Sequence, residues 1–559
     1  MSRLIVAFVV LVAALAAGGS MAHRILPEPL RFPEELLHAV EESPRVDRRS
    51  DDSVCRFAPL YSTYELYSNA TLRDQFFLQY ARRESRFCKS IGLDQATQMT
   101  YDGHRLDIES GLTRGKPHMF SAPSKESLHV AVLARVLDGH PIAQAMYSTQ
   151  EALAVLRSKV RTMERFHERF PGFGGFYPWT AFDGLGNMTP TWDWVNRVPS
   201  LDNGELFWAA FALEHVLREK HPNETSLADS WRGVWKNMTD TALAVFYAGN
   251  GTLRTVTNIG NQAWPVWNNT YNGSGSLNDP YEGELFTVMV YLFTNLSTAE
   301  KHQLWVNKRE MLQRVQLSGI KYRGKAATIT VQKGFWFSAH EQWKYLMLPY
   351  VDSRNNYRVF LNGERARTWY ATEIRKAPGL WASVNGPIPD NNASFPYYSD
   401  CGIGRLSFNP TYHDDVITPY GAFPLFVASP PHGIAWFHHM LLTRKAQNCW
   451  GTTESFNVTG TDIGPLTTWD SKITTVVAAM QGVADMNRRY LHRLGKLQEF
   501  VDVVQYEWGR VFGNHAAGPL PGEELPLRLP DTTRSVPTLL PDFTTCNLQG
   551  SSCPPVTTR

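Results

Sequence analysis

The sequence carries little charge and no run of positive charge. Its 559 residues include 55 Lys and Arg and 53 Asp and Glu, a formal net charge of +2 and a charged fraction of 19%. Nucleic-acid binders need a basic patch, so this composition argues against such a partner. It also argues against a disordered chain, because disordered chains have few aromatic residues, whereas 12% of this chain is aromatic.

The common catalytic and metal-binding signatures are missing as well. The sequence has no GxSxG nucleophile motif, no P-loop, no HExxH and no dinucleotide-binding GxGxxG. Its six cysteines show neither CxxC nor a Cys/His metal spacing, which argues against a zinc site. We therefore expect neither a metal nor a cofactor.

Long apolar runs are absent except at the N terminus. Residues 4–17 are apolar, follow the basic start Met1-Ser2-Arg3, and lead to small residues before a cleavage site after Ala22. This pattern predicts a secretory signal peptide over residues 1–22, with an uncleaved anchor as the alternative. No later run is long enough to span a bilayer. We expect a secreted protein without stable membrane insertion.

Potential glycosylation sites and an even number of cysteines agree with secretion. The Asn-x-Ser/Thr sequons are at Asn69, Asn187, Asn223, Asn237, Asn250, Asn268, Asn272, Asn295, Asn392 and Asn457. Six cysteines allow 15 pairings. Proximity along the chain favours the pairs Cys55–Cys88, Cys401–Cys449 and Cys546–Cys553.

Most of the chain from about residue 75 to 494 is predicted to be helical. Leu153, Leu156, Val160 and Met163 recur at spacings of three and four, as on the buried face of a helix. Further helices are predicted at 125–138, 204–219, 284–297, 299–316, 338–350, 419–429 and 467–494, and a strand at 327–332. We interpret residues 23–74 as an irregular lead-in, 75–512 as a catalytic domain, and 513–559 as a Pro/Thr-rich, flexible tail.

Four loop-to-helix segments combine carboxylates with aromatic rings, which suit the polar edges and apolar faces of sugars. Their candidate residues are Trp179, Trp194, Asp202, Glu205, Glu282, Glu284, His340, Trp343 and Asp462. Structural interpretations stay open for each: Asp202 as a helix cap, Glu282 as a first-turn glutamate, and Asp462 as a turn residue. A lone histidine such as His340 is more often structural than catalytic.

Short motifs in and near these segments follow one another in the same order as in a known protein family. They are Gly175-Phe176-Tyr177, Ser200-Leu201-Asp202, Tyr281-Glu282-Gly283, Phe337-Ser338-Ala339-His340 with Asp352-Ser353-Arg354, Pro419-Tyr420-Gly421-Ala422, and Asp462-Ile463-Gly464-Pro465. Over residues 145–495 the sequence thereby resembles the bacterial glucoamylase-like proteins and the endo-β-1,2-glucanases of glycoside hydrolase families 144 and 162. The secretion signals favour family 162. Ile463 departs from the family pattern, which has glutamine there.

The resemblance implies a fold, a reaction and a set of site residues. The fold is an (α/α)₆ toroid, and the reaction is metal-free hydrolysis with inversion, in which protons pass through a substrate hydroxyl and water. The acid corresponds to Glu282, with Glu284 left open, and the base to Asp462. The residues expected to hold and stack glucose units are Asp202, Glu205, Trp179, Trp194, His340, Trp343 and Tyr420.

The resulting hypothesis is a secreted, inverting endo-glucanase that acts on β-1,2-glucan. One alternative keeps the fold but changes the chemistry to another glucan linkage or to transglycosylation, because fold alone does not decide function. A further alternative is a non-catalytic extracellular glycan-binding protein. The expected partner is a β-glucan chain, and we expect a monomer.

Overall fold

The computed structural model describes residues 54–386, 397–409, 413–533, 540–548 and 550–556. The predicted signal peptide, most of the lead-in and the sequon at Asn392 lie outside these residues. The α-helices are α1 Thr63–Ser68, α2 Ala70–Arg86, α3 Pro123–Asp138, α4 Pro141–Gln144, α5 Thr149–Arg169, α6 Leu201–Lys220, α7 Thr225–Phe246, α8 Glu284–Phe293, α9 Thr298–Arg309, α10 Lys344–Met347, α11 Arg354–Trp369, α12 Phe423–Ala428, α13 Pro430–Leu441, α14 Trp469–Ala479, α15 Ala484–Arg493 and α16 Leu497–Phe512.

Six of these helices make contacts that run in a closed cycle. Helix α3 packs against α6, α6 against α8, α8 against α10, α10 against α12, α12 against α14, and α14 against α3. Burial explains their sequences: α3 and α6 are buried over nearly their whole length. The run 206–213 of α6 is apolar on every side, as suits a helix in the interior. Helix α3 also buries charged residues, of which Lys125 and Glu126 are held in ion pairs.

Other helices bury one face only. In α5 the side chains of Leu156, Val160 and Met163 are buried, as their spacing predicts, and most polar side chains lie on the opposite face. Lys159 is an exception, because it is buried in an ion pair with Glu126. The helix begins with a capping box, in which Ser148 and Glu151 bond each other's backbone N–H groups. Helix α7 packs against both α5 and α6. The prediction of a mainly helical protein is confirmed.

Short strands occupy the loops between the helices. They are β1 Gly103–Arg105, β2 Thr180–Phe182, β3 Met188–Pro190, β4 Arg197–Pro199, β5 Tyr247–Gly249, β6 Thr252–Leu253, β7 Val256–Ile259, β8 Tyr271–Asn272, β9 Arg314–Tyr322, β10 Lys325–Gln332, β11 Val384–Asn385, β12 Tyr397–Tyr398, β13 Val416–Ile417, β14 Gln447–Asn448, β15 Gly451–Thr452, β16 Ser455–Asn457, β17 Ile463–Gly464, β18 Leu466–Thr468, β19 Cys546–Asn547 and β20 Gly550–Ser551. Two antiparallel three-stranded sheets, β4–β7–β8 and β13–β16–β17, brace the longest loops.

Two predicted helices are interrupted. The segment 338–350 contains a short 3₁₀ helix and only four α-helical residues. The segment 467–494 breaks between α14 and α15, where Gln481 and Gly482 both have φ of 62°. A Cβ on Gly482 would lie 2.0 Å from the carbonyl oxygen of Leu346, so this close approach requires glycine.

The disulfide pairing predicted from proximity is wrong. The bonds join Cys55 to Cys546 and Cys449 to Cys553, and Cys88 and Cys401 are free and buried. Proximity along the chain fails here because the C-terminal segment returns to the start of the described chain. In the same place Arg56 forms an ion pair with Asp542, at 2.7 Å.

The described part of the C-terminal segment lies against the helices. The indole of Trp369 in α11 donates to the carbonyl of Pro526 at 2.9 Å, and that of Trp436 in α13 to the carbonyl of Arg528 at 2.8 Å. Farther on, Phe543 is fully buried. The described part of this segment is therefore packed on the helices, rather than flexible as expected, and two disulfide bonds attach its end to the rest of the protein.

Removing the Cys449–Cys553 bond should lower stability markedly. The bond closes a loop of 104 residues, and loss of a native disulfide in a secreted domain costs about 2–5 kcal/mol. We expect the Cys449→Ala/Cys553→Ala variant to melt at a clearly lower temperature in calorimetry. The matched control is Cys401→Ala, which replaces a free buried cysteine. Equal melting temperatures for the two variants would contradict the prediction.

Among the described residues, none of the helices combines the length and the apolar character needed to cross a bilayer.

Candidate active site

An acidic cluster forms where the starts of α6, α8 and α14 meet. Asp202 and Asp470 lie in the first turns of α6 and α14, and Glu282 lies two residues before α8. Burial raises the pKa of Glu205, which is 1% exposed, and the neighbouring carboxyl groups of Glu282, Asp202 and Asp470 add to this shift. These carboxyl groups, widely separated in sequence, therefore share one electrostatic environment.

A close helix contact brings Glu205 to the segment that carries Glu282. A Cβ on Gly204 would lie 2.6 Å from the backbone nitrogen of Phe286, so glycine lets α6 approach α8. The neighbouring Asn203 fixes the preceding loop, because its amide donates to the carbonyls of Tyr177 and Pro199, both at 2.8 Å. The residues that follow Asp202 therefore pack α6 against its neighbours, in addition to contributing carboxyl groups to the cluster.

The position of Glu282 is set by a buried aspartate. Asp279 accepts hydrogen bonds from the backbone N–H groups of Tyr281 (2.9 Å) and Gly283 (2.6 Å). A Cβ on Gly283 would lie 2.5 Å from the same carboxylate, so glycine is needed after Glu282. The Glu-Gly dipeptide therefore has a structural cause: it fits the turn that presents Glu282 to the cluster.

Glu282 has the properties of a general acid. Its carboxyl is buried, its Oε1 lies 3.7 Å from Nε2 of His340, and its Oε2 has no hydrogen-bond partner among the described residues. Burial raises its pKa well above the ordinary value, and the negative charges of Asp279 and Asp202 add to this shift. A carboxyl with a raised pKa retains its proton at a pH where exposed carboxyls are ionised.

Glu284 is in a different environment. Its side chain is fully buried and lies 3.4 Å from Nζ of Lys344. Burial lowers the pKa of Lys344 to about 8, and the charge of Glu284 opposes that shift. A carboxylate with a buried cationic partner is compensated inside the protein, so Glu284 fits a structural role.

Glu205 offers polar atoms that the protein leaves unused. Both of its carboxyl oxygens are buried and lack a hydrogen-bond partner among the described residues. Burial raises its pKa well above the ordinary value, and burial also raises the pKa of Asp202, an effect that nearby Ser124 and Lys125 oppose. Buried polar groups normally have partners. Hydroxyl groups of a bound sugar would satisfy them.

His340, Trp343 and Tyr420 form one hydrogen-bonded group beside Glu282. The phenol oxygen of Tyr420 lies 2.7 Å from Nδ1 of His340 and accepts a hydrogen bond from Nε1 of Trp343 at 3.1 Å. Burial lowers the pKa of His340 to about 4, so the ring is neutral near pH 7. Trp343 is 1% exposed. Its indole therefore supports Tyr420 from behind, whereas His340 faces the acidic cluster.

Two predicted tryptophans stack on each other. The rings of Trp179 and Trp194 are 5.0 Å apart at 29°, and Phe120 lies 5.4 Å from Trp179 on a tilted plane. Trp194 is buried, while Trp179 is partly exposed. Asp202 lies close enough to Trp179 for the indole to affect its pKa. Trp179 is thus the member of the stack that can present a face at the edge of the cluster.

Asp462 lies in the tight turn between β16 and β17. Its Oδ2 accepts hydrogen bonds from Nδ2 of Asn457 at 2.7 Å and from the hydroxyl of Thr461 at 2.8 Å. The carboxylate is half-buried. The charges that act most strongly on Glu282 come instead from Asp279, Asp202, Glu341 and Asp470.

Several residues of the site are missing from the sequence-based prediction. Nζ of Lys125 lies 3.0 Å from Asp470 and 3.2 Å from Asp102, and the second oxygen of Asp102 lies 2.7 Å from Nδ1 of His118. Asp470 lies in the first turn of α14, and its Oδ1 is buried without a hydrogen-bond partner among the described residues. The sequence offers one signal for these residues. Lys125 begins the predicted helix 125–138, whose later residues are largely apolar, and a lysine is rarely buried unless it is paired with an acidic residue.

Loops around the cluster are held by two further carboxylates. Glu341 accepts hydrogen bonds from the backbone N–H groups of Trp336 (3.3 Å) and Ser338 (3.0 Å), and burial raises its pKa to about 7. Glu454 accepts from the hydroxyls of Thr468 (2.5 Å) and Ser471 (2.6 Å), next to Asp470. The two glutamates order the segments that carry His340 and Asp470.

In the part of the chain that the structure describes, the one grouping with metal-ligand proximity is Cys55, Cys449 and Cys553. All three sulfurs are in disulfide bonds, so they do not serve as thiolate ligands in this state. The acidic cluster instead combines a buried carboxyl whose pKa is raised, further carboxyl groups, neutral His340 and an aromatic stack. This set can bind sugar hydroxyls and donate a proton to a glycosidic oxygen.

Comparison with known proteins agrees with that chemistry. Residues 99–547 match the family model described as "Endo-beta-1,2-glucanase SGL" of glycoside hydrolase family 162. No curated protein matches the chain. The structure is similar to the endo-β-1,2-glucanase of Talaromyces funiculosus in complex with sophorose: the TM-score is 0.82 and the identity 38%, over 88% of this chain and 100% of that one.

A second structure of the Talaromyces funiculosus enzyme is that of a glutamate-to-glutamine mutant with β-1,2-glucan. It is 37% identical to this chain and covers 89% of this chain and 100% of that one, with a TM-score of 0.82. The endo-β-1,2-glucanase of Chitinophaga pinensis, with sophorotriose and glucose, is 14% identical over 78% of this chain and 97% of that chain, with a TM-score of 0.50. At that identity the similarity concerns the fold alone.

Proposed function

This chain belongs to the endo-β-1,2-glucanase family SGL, glycoside hydrolase family 162, and from that premise we infer that it is a glycoside hydrolase that cleaves β-1,2-glucan internally. The observation that carries this inference onto particular residues is the state of Glu282. Its carboxyl is buried, has a raised pKa, and has an oxygen without a partner among the described residues.

The fold we propose is an (α/α)₆ toroid. The closed cycle of contacts from α3 through α6, α8, α10, α12 and α14 supports it, since six inner helices are what such a toroid contains. The starts of α6, α8 and α14 carry Asp202, Glu205, Glu282 and Asp470 at or beside them. In this arrangement the acidic cluster lies at one end of the inner ring.

In the proposed mechanism Glu282 is the general acid and Asp462 the general base. Glu282 donates its proton towards the departing glycosidic oxygen, directly or through a substrate hydroxyl, while Asp462 accepts a proton from the attacking water. Attack by water on the face opposite the leaving group inverts the anomeric configuration. Neutral His340, 3.7 Å from Glu282, adds no positive charge that would favour loss of the proton from the acid.

Substrate binding is assigned to groups whose polar atoms or faces are available. Glu205 and Asp202 bind sugar hydroxyls, Trp179 stacks on a glucose ring with Trp194 behind it, and Tyr420 and Trp343 hold His340 in place. We propose that the enzyme is a secreted monomer with a cleaved signal peptide. The two disulfides favour an oxidising, extracellular setting.

Incubation with glucans of defined linkage tests the activity. We expect β-1,2-glucan to give shorter oligosaccharides whose new reducing ends first appear as the α-anomer in ¹H NMR. Appearance of β-anomers would contradict inversion, and longer products would indicate glycosyl transfer. Cleavage of β-1,3- or β-1,4-glucan but not of β-1,2-glucan would overturn the substrate. If the protein binds β-1,2-glucan but produces no new reducing ends, the alternative of a non-catalytic glycan-binding protein would be supported.

A further inference from the structure

One sequon differs from the others in its surroundings. The asparagines at 69, 187, 223, 237, 250, 268, 272 and 295 are exposed, whereas Asn457 of the sequon Asn457-Val458-Thr459 is half-buried. Asn457 ends β16 and faces the turn that carries Asp462. Its backbone N–H donates to the carbonyl of Asp462 at 3.1 Å, so the two residues close the turn.

The side chain of Asn457 is fully engaged. Its Oδ1 accepts from the backbone N–H groups of Thr461 (2.9 Å) and Asp462 (3.2 Å). Its Nδ2 donates to the hydroxyl of Thr461 and to Oδ2 of Asp462, each at 2.7 Å. An amide nitrogen has two N–H donors, and both are in use.

These bonds orient the carboxylate. Among the described residues, the hydrogen bonds to the side chain of Asp462 end on Oδ2. Oδ1 is thereby left to accept a proton. Rotation of the carboxyl would cost the bond to Asn457, a charge-assisted hydrogen bond of the stronger kind.

We propose that Asn457 is a positioning residue for the general base Asp462, and that the Asn457 sequon stays unglycosylated in the active enzyme. The proposal rests on the function proposed for Asp462. Attachment of a glycan replaces one hydrogen on Nδ2, and with it either the bond to Asp462 or the bond to Thr461. A glycan that takes the first of these hydrogens removes the bond to Asp462 directly. A glycan that takes the second removes the bond to Thr461, whose hydroxyl itself donates to Oδ2 of Asp462. Either way a bond that orients the base is lost or loses its support.

The variant Asn457→Asp isolates the contact. It keeps the oxygen that accepts from the two backbone N–H groups, so the turn persists, but it replaces the amide donor by a second carboxylate. We expect kcat near pH 7 to fall about 10- to 100-fold, the usual cost of a misplaced catalytic group, with KM within about twofold. The control Thr459→Val removes the same sequon and keeps Asn457, but it also removes the hydroxyl that lies 3.0 Å from that of Thr461. Thr459→Ser, which keeps both the hydroxyl and the sequon, is therefore measured beside it, and both variants should keep kcat.

A pH profile separates positioning from general structure. At a pH near 4 the introduced carboxyl takes up a proton and can again donate to Oδ2. We expect the kcat of Asn457→Asp relative to wild type to recover there by at least about threefold. A ratio that is constant with pH, in a variant that melts like wild type, would overturn the positioning role.

Asp462→Asn measured in parallel separates this proposal from the mechanism. If Asp462→Asn is inactive and Asn457→Asp is fully active, positioning is overturned while the base remains. If Asp462→Asn is active, the base assignment is overturned, and positioning with it. Peptide mapping of protein secreted by a glycosylating host should find Asn457 unmodified, and a glycan there in active enzyme would overturn the second half of the proposal.

Discussion

Replacing Glu282 by glutamine should lower kcat on β-1,2-glucan by about 10²–10⁴-fold, the contribution of a general acid. Glutamine has nearly the same shape but no proton to give. KM should change little, since Glu205 and Asp202, the residues proposed to bind the sugar hydroxyls, are unchanged. The measurement is the rate of release of reducing ends. A variant within tenfold of wild type would remove Glu282 from the acid role.

The stability of the same variant provides an independent check. Because burial raises the pKa of Glu282 in the folded state, its stabilising proton is fully bound below the unfolded pKa of about 4.3 and is lost as pH rises through the folded pKa. Glutamine has no such loss. Its melting temperature should therefore match or exceed that of wild type, increasingly so at higher pH.

Glu284→Gln is the matched control, two residues away. It leaves the buried ammonium of Lys344 without its carboxylate, and breaking a buried ion pair costs about 3–5 kcal/mol. We expect lower stability and, in the folded fraction, retained turnover. The opposite pattern, with Glu284→Gln stable but inactive, would transfer the acid role to Glu284.

The second large effect is expected for the general base. Asp462→Asn should lower kcat about 10²–10⁴-fold, because the attacking water then has no acceptor for its proton. Asp470→Asn is the informative comparison, since the charge of Asp470 contributes to the raised pKa of Glu282 and its carboxylate is paired with Lys125 at 3.0 Å. We expect it mainly to raise KM. A larger fall in kcat for Asp470→Asn would make Asp470 the base.

Local patterns account for what the sequence predicts well. The buried face of α5 follows from residues three and four apart, and the motif at Glu282 follows from a turn closed within five residues by Asp279. Both depend on short-range geometry. The motif order then indicates the family, but the roles of Glu282 and Asp462 remain proposals.

Long-range pairing accounts for what the sequence misses. Lys125 meets Asp470 across 345 residues, and Glu454 orders the start of α14. No spacing rule connects such partners. Trp343 illustrates the same limit within a motif: its position beside His340 suggests a sugar platform, whereas tertiary packing buries the ring and assigns its indole N–H to Tyr420.

The acidic cluster also affects the stability of the folded protein. Buried carboxyls without partners cost stability, and natural proteins keep few of them. Among the described residues, both carboxyl oxygens of Glu205 and one of Glu282 lack a hydrogen-bond partner. Their persistence in a chain that could hold glutamine there agrees with selection for function at the expense of stability.

The bond between Cys55 and Cys546 has a consequence for biosynthesis. Its partners are 491 residues apart, and chains grow at about 5–20 residues per second, so Cys55 waits about 25–100 s for its partner. During that time its thiol is reactive and Cys88 is nearby in sequence. In the secretion that we propose, early wrong bonds of Cys55 must be prevented or reopened, and the yield in a foreign host should depend on its disulfide isomerase.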